Sequence, residues 1–268
     1  MPRRSLEVVA FDGDDTLWHN ERSFQEGRRR FRRLLADAGV DISDHDLDLV
    51  VNRNELKNLT YFGYGVSSFV LSLIETAIEL SGGRIDGRSI HGLVDLARQM
   101  LTEEIELFPQ VREVVTALAA RYPLMLITKG DLLHQTSKLE RSGLRGQFRF
   151  VEVVSEKSPE IYSAILERHR IAPDRFLMIG NSIRSDVLPA IAAGGWAVHV
   201  PAALTWAHEH AELPRRARAR YFELAALDRV VEIIATIERG RGRVRTSPSP
   251  RAAAGAGRRR PGAGSRRS

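Results

Sequence analysis

Five short apolar runs punctuate this chain: Leu6–Phe11, Leu124–Thr128, Phe150–Val154, Phe176–Ile179 and Trp196–Val200. Each is bounded by polar residues or glycine, the pattern of strands covered on both faces. Around the last four lie amphipathic stretches with helical spacing, Val111–Arg121, Leu132–Ser142, Pro159–His169 and Val187–Ala193. Such alternation predicts an α/β fold, a doubly wound, Rossmann-like parallel sheet whose ligands collect at the carboxyl ends of the strands. A last helix is expected over Leu224–Ile237.

More than a hundred residues separate the first strand from the second, too many for one crossover, so an insertion is expected. The stretch Asn20 to Leu107 reads as helical throughout. Glu21–Ala38 carries Phe24, Phe31, Leu34 and Leu35 at helical spacing and stops at Gly39. Ser43 can cap a second helix reaching about Asn58, followed by Val66–Leu80 and Ser89–Leu107. The expected organisation is a core over 1–19 and 108–238, an α-helical bundle cap over 20–107, and a tail over 239–268. Between the second and third helices, Tyr61-Phe62-Gly63-Tyr64-Gly65 reads either as a hinge packed inside the bundle or as a loop facing a ligand.

An apolar fraction of 43% suffices for a sizeable core. The absence of cysteine excludes disulfides and thiolate metal sites. The formal charge of +6 is unevenly placed: ten arginines and no acid follow Glu238, which leaves the body at −4. That segment is too rich in Arg, Gly, Ala, Ser and Pro to bury a core and is expected to be disordered. It can touch nucleic acid weakly and non-specifically. No aromatic residue interleaves its arginines for base stacking, which favours a solubilising extension. The first residues, Met1-Pro2-Arg3-Arg4-Ser5, precede no long apolar segment, and no stretch approaches the roughly 20 apolar residues of a membrane span. A soluble, cytoplasmic protein without membrane partners is expected.

The first strand ends in Asp12-Gly13-Asp14-Asp15-Thr16-Leu17-Trp18. Two carboxylates at the mouth of a sheet, Asp12 and Asp14, can share a magnesium ion and divide the work of nucleophile and proton carrier. Alone, the stretch reads equally well as an acidic turn. After the second strand, Thr128-Lys129-Gly130 offers a hydroxyl and backbone N–H groups to a phosphoryl oxygen, or merely caps a helix. Lys129 can instead point outward. Lys157 precedes Ser158-Pro159, where the proline can open a helix, and its ammonium can screen a nucleophile from an incoming dianion. The fourth strand runs into Gly180-Asn181-Ser182-Ile183-Arg184-Ser185-Asp186. Gly180 permits a tight turn, and Asp186 can complete an oxygen set for Mg²⁺, which keeps several waters. Each signal is weak; their order at successive strand ends makes them jointly strong. His208-Glu209-His210 is expected at the surface, because residues two apart do not share a helix face. Trp18 reads either as a hinge residue or as packing.

These residues, in this order, resemble the haloacid dehalogenase superfamily of phosphohydrolases over about residues 6–237. Asp12-Gly13-Asp14-Asp15-Thr16 matches its first motif, Thr128 its second, Lys157 its third and Gly180–Asp186 its fourth; the insertion resembles its helical cap. The resemblance implies a magnesium-dependent phosphatase of the phosphoglycolate-phosphatase type, acting on a small-molecule phosphate ester. Asp12 would form an aspartyl-phosphate, with Asp14 as general acid and then base. Thr128, Lys129, Gly130 and Lys157 would surround the phosphoryl group. Asp12, Asp14 and Asp186 would hold the metal, with Asn181 joining through water. Asn181 departs from the usual pattern, in which an acid follows the glycine, and this implies weaker metal affinity. Asp14 favours ester hydrolysis, because the superfamily's dehalogenases lack an acid at that position. Two alternatives share these features: a phosphomutase on the same scaffold, and a nucleic-acid-binding protein acting through its basic tail.

Overall fold

The computed structural model describes residues 6–240. The backbone stays helical through Gly240, so Arg239 and Gly240 do not belong to the tail expected from residue 239. Expectations for the arginine-rich stretch beyond Gly240, disorder and nucleic-acid contact included, lie outside the described residues. Six parallel strands form one sheet: β1 (Val8–Phe11), β2 (Leu124–Lys129), β3 (Phe148–Val154), β4 (Phe176–Gly180), β5 (Trp196–His199) and β6 (Tyr221–Glu223), in the order β3-β2-β1-β4-β5-β6. Phe11 pairs with Leu126 on one side and Ile179 on the other. The chain therefore winds outward in both directions from β1 and β4. The crevice beyond their carboxyl ends is the switch point at which such sheets bind ligands.

The helices α1 (Glu21–Asp37), α2 (Asp44–Phe62), α3 (Val66–Leu80) and α4 (Gly87–Thr102) form the insertion between β1 and β2. They pack Phe31, Leu35, Leu47, Val51, Phe69, Leu73 and Leu93 into a core of their own. The core helices are α5 (Val111–Ala119), α6 (Leu132–Arg141), α7 (Pro159–Arg168), α8 (Leu188–Ala192) and α9 (Val230–Gly240). One face of the sheet buries Phe11, Leu126 and Ile179 against Val115, Leu118 and Ile234 of α5 and α9. The other buries Ala10, Met125 and Met178 against Tyr162 and Ile165 of α7 and Ala190 of α8. The two-sided burial explains why these strands read as unbroken apolar runs.

Caps account for several boundaries. Ser43 accepts from the Asp46 N–H at 3.1 Å, as its position before α2 predicts. Helix α4 starts two residues earlier than Ser89 because Asp86 accepts from the backbone of Arg88 and Ser89. It also ends earlier, at Thr102. The returning chain is extended there, and its backbone pairs with the outgoing one, His19 N–H to Glu106 O and Phe108 N–H to Leu17 O, both 3.0 Å. Helix α2 continues to Phe62 and stops at Gly63, whose φ of +69° glycine adopts freely. Tyr61 and Phe62 stand on its exposed last turn, so the stretch is not a hinge buried in the bundle. The short edge strand β6, and the start of α9 six residues after Leu224, are departures from the pattern read in the sequence.

Candidate active site

The first strand's hydrogen bonding carries one residue past β1, with Asp12 N–H on Ile179 O at 2.9 Å, and this sets Asp12 beside the exit of β4. There the chain makes a π-type turn over Ile183–Val187 that brings Asp186 back over Gly180. A Cβ at position 180 would collide with the Asp186 carboxylate, so the close approach requires glycine. Ser182 N–H anchors Asp186 at 2.9 Å. Lys157, one residue before the Ser158 cap of α7, reaches under both acids: its Nζ lies 2.5 Å from Asp12 Oδ1 and 2.6 Å from Asp186 Oδ1. All three side chains are buried. Thr16 Oγ1 lies 3.3 Å from both Asp12 Oδ2 and Asn181 Oδ1, and so ties the first motif to the fourth.

Asp14 points elsewhere. Its carboxylate accepts from Trp18 Nε1 at 2.6 Å, Lys138 Nζ at 2.7 Å and Gln135 Nε2 at 2.8 Å. Gln135 and Lys138, three residues apart, share one face of α6. Trp18 is thus both fully buried packing and a donor to Asp14. Asp15, at φ +57°, accepts from the backbone N–H groups of Asn20 and Glu21 and so caps α1.

Thr128 Oγ1 is buried without a partner and faces the cavity, as a donor awaiting a phosphoryl oxygen would. Its neighbours depart from expectation. Gly130 N–H is taken by Val154 O at 3.3 Å, and Gly130 does not line the cavity. At φ +133° it turns the chain and clears room for Gln135, whose amide a Cβ would crowd at 2.9 Å. Lys129 does not point outward: its Nζ meets Glu209 Oε1 at 2.5 Å and Ser185 Oγ at 2.9 Å, 4.0 Å above the Tyr64 ring. Glu209 is not a surface residue either. Its carboxylate accepts from Ser185 Oγ at 2.5 Å and Ser182 Oγ at 2.7 Å as well as from Lys129. Its neighbour His210 is exposed, as expected. Tyr64 donates to Glu156 at 3.0 Å and packs edge-on to Trp206, so the loop reading of Tyr64 and Gly65 agrees with their place on the cavity wall.

The electrostatics follow from burial. It pushes the Asp12 carboxyl upward; Lys157 opposes this and the Asp186 carboxylate reinforces it. Burial also works against the Lys157 ammonium, but the two acids hold it well above its ordinary value. For Asp14 burial is outweighed by Lys138 and the three donors, and the carboxyl sits below the usual range. Glu209 is likewise brought down to about 2, against burial, by Lys129 and the serine hydroxyls.

Asp12 and Asp186 share a single ammonium, a net negative charge in a buried place, and the nearby donors are hard oxygens. Both features fit magnesium. Among the described residues no group of three or more His, Asp or Glu forms a complete metal cage. Mg²⁺ does not need one, since it takes one or two carboxylates together with phosphate oxygens and waters. Asp12, Asp186 and the Asp14 backbone are the residues that would hold it, with Asn181 at the cavity wall beside them. The cavity itself, about 180 Å³, opens from these groups toward α1, α2 and α3.

A family model described as haloacid dehalogenase-like hydrolase matches residues 6–194. A haloacid dehalogenase-like family hydrolase from Xanthomonas campestris superposes with a TM-score of 0.78 at 38% identity, over 90% of this chain and 96% of that one. Glyceraldehyde 3-phosphate phosphatase of Methanothermobacter thermautotrophicus is 25% identical over 77% of this chain and 91% of its own length. Phosphoglycolate phosphatase of Vibrio vulnificus is 25% identical over 87% and 98%. Among the described residues no helix is long and apolar enough to cross a membrane.

Proposed function

The chain belongs to the haloacid dehalogenase-like hydrolase family, and from that premise we propose that it is a magnesium-dependent phosphatase of a small phosphorylated metabolite. The observation that carries this reading is the shared grip of Lys157 on Asp12 and Asp186, with the unpartnered Thr128 hydroxyl beside it. Phosphoryl transfer is mostly positioning and charge neutralisation, and these groups supply both. Bound magnesium would add the positive charge that keeps Asp12 ionised and screens the phosphoryl oxygens.

In the first step an Asp12 carboxylate oxygen bonds to phosphorus as the P–O bond to the leaving alcohol breaks. Lys157 and Thr128 hold the transferred group, and Asp14 gives its proton to the departing oxygen. In the second, Asp14 takes a proton from a water that attacks phosphorus, and Asp12 returns to a free carboxylate as inorganic phosphate leaves. The donors around Asp14 keep it ionised at rest. The proton it hands to the leaving oxygen therefore arrives with the substrate, a monoprotonated phosphate monoester, and the proton it takes from water leaves with the product.

Phosphate release over a panel of phosphate monoesters, with magnesium and with EDTA, tests the reading. Turnover with magnesium that drops by about 100-fold or more on chelation is expected; no release from any ester overturns it. Lys138→Met is expected to lower kcat by about 10²–10⁴-fold, the usual worth of a positioned acid–base group. It also removes the cation holding Asp14 low, so the limb of the pH–rate profile due to Asp14 moves to higher pH. A profile that stays in place would detach Asp14 from proton transfer.

A further inference from the structure

The cavity wall opposite the phosphoryl cradle is built by the inserted helices: Glu21, Phe24 and Arg28 from α1, Glu55 from α2, Ser68 and Phe69 from α3. The guanidinium of Arg28 is already engaged, with Nη2 on Glu55 Oε2 at 2.6 Å and Nη1 on Asn52 Oδ1 at 2.9 Å. The other Glu55 oxygen, Oε1, has no partner, and neither does Ser68 Oγ. These residues are only 8% and 3% exposed. Buried polar atoms left unpaired are costly, and in a binding cavity they mark where a ligand supplies the missing partner. Beside them Phe24 and Phe69 meet edge to face at 5.0 Å and give the wall an apolar flank. Burial lifts the carboxyls of Glu21 and Glu55 to about 7, and the wall's one arginine is committed, so a second anionic group on the ligand would find no free cation here.

We propose that this wall is the leaving-group subsite, and that it selects phosphate monoesters of neutral polyhydroxy alcohols over esters whose leaving alcohol bears a carboxylate. One hydroxyl of the leaving group donates to Glu55 Oε1, another shares a hydrogen bond with Ser68 Oγ, and its C–H face lies against Phe24 and Phe69. This rests on the phosphatase reading above and narrows its substrate class.

The test compares kcat/KM, with magnesium, for glycerol 3-phosphate, ribose 5-phosphate and phosphoglycolate, with p-nitrophenyl phosphate as an ester that lacks these hydroxyls. The better polyhydroxy ester is expected to exceed phosphoglycolate by at least about tenfold, and Ser68→Ala and Glu55→Gln to shrink that ratio by about tenfold each, chiefly through KM. A preference for phosphoglycolate, or a ratio unmoved in both variants, overturns the subsite while p-nitrophenyl phosphate turnover leaves the phosphatase reading standing. If no ester is hydrolysed, the phosphatase reading falls, and calorimetric titration of wild type and Ser68→Ala with the same two kinds of ester decides the subsite. Tighter polyhydroxy-ester binding that weakens in the variant supports it; equal binding overturns it.

Discussion

Replacing Asp12 by Asn is expected to cut phosphate release by at least about 10⁴-fold, the scale of losing a covalent nucleophile. Asn keeps the shape of the side chain and an oxygen for Lys157 and Thr16 to contact, but its amide cannot form the phosphoryl bond. The fold should survive. Asp12 is buried against a net acidic cluster, and a neutral amide leaves Lys157 paired one to one with Asp186. Phosphate-release kinetics and a thermal melt on the same preparation check both halves. Turnover near that of wild type would remove Asp12 from the mechanism.

The second large effect is on stability. Lys157→Met leaves Asp12 and Asp186 facing one another in the interior without the ammonium 2.5 and 2.6 Å away. Breaking a buried charge cluster by removing one partner costs about 3–5 kcal/mol. For a chain of this size each kcal/mol moves Tm by about 2–4 °C, so a fall of roughly 6–20 °C in EDTA is expected. A cation bound between the acids replaces part of the lost charge, and magnesium should therefore restore more Tm in the variant than in wild type. An unchanged Tm in EDTA would show that the lysine contributes no net stabilisation to the pair. Turnover should also be lost, because nothing then screens Asp12 from the incoming phosphoryl group.

The sheet and the insertion were legible because their signals are periodic. Two-sided burial wrote β1, β2 and β4 as apolar runs, and the apolar stripe of α3 marks Val66–Leu80 to the residue. Asp12, Lys157 and Asp186 were legible for a related reason: parallel strands deliver their carboxyl ends to one edge, so residues just past them converge. Side chains that reach the site from elsewhere carry no such mark. Lys138 and Gln135 look like the solvated face of an ordinary helix, and only the docking of α6 turns them onto Asp14. Glu209 arrives on an irregular loop after β5, where no period connects it with Lys129. The sequence points to Gly130 for its N–H, but its positive φ and missing side chain are what make room for Gln135. Three residues, one of them charged, are too few for β6 to show a pattern.

The contact between Gly180 and Asp186 leaves the corner beyond β4 with one workable occupant. Chance substitution cannot try out a second functional group there without displacing the acid that folds over it. That corner must be inherited whole, and descendants with new tastes in substrate have to be written into the helices facing it.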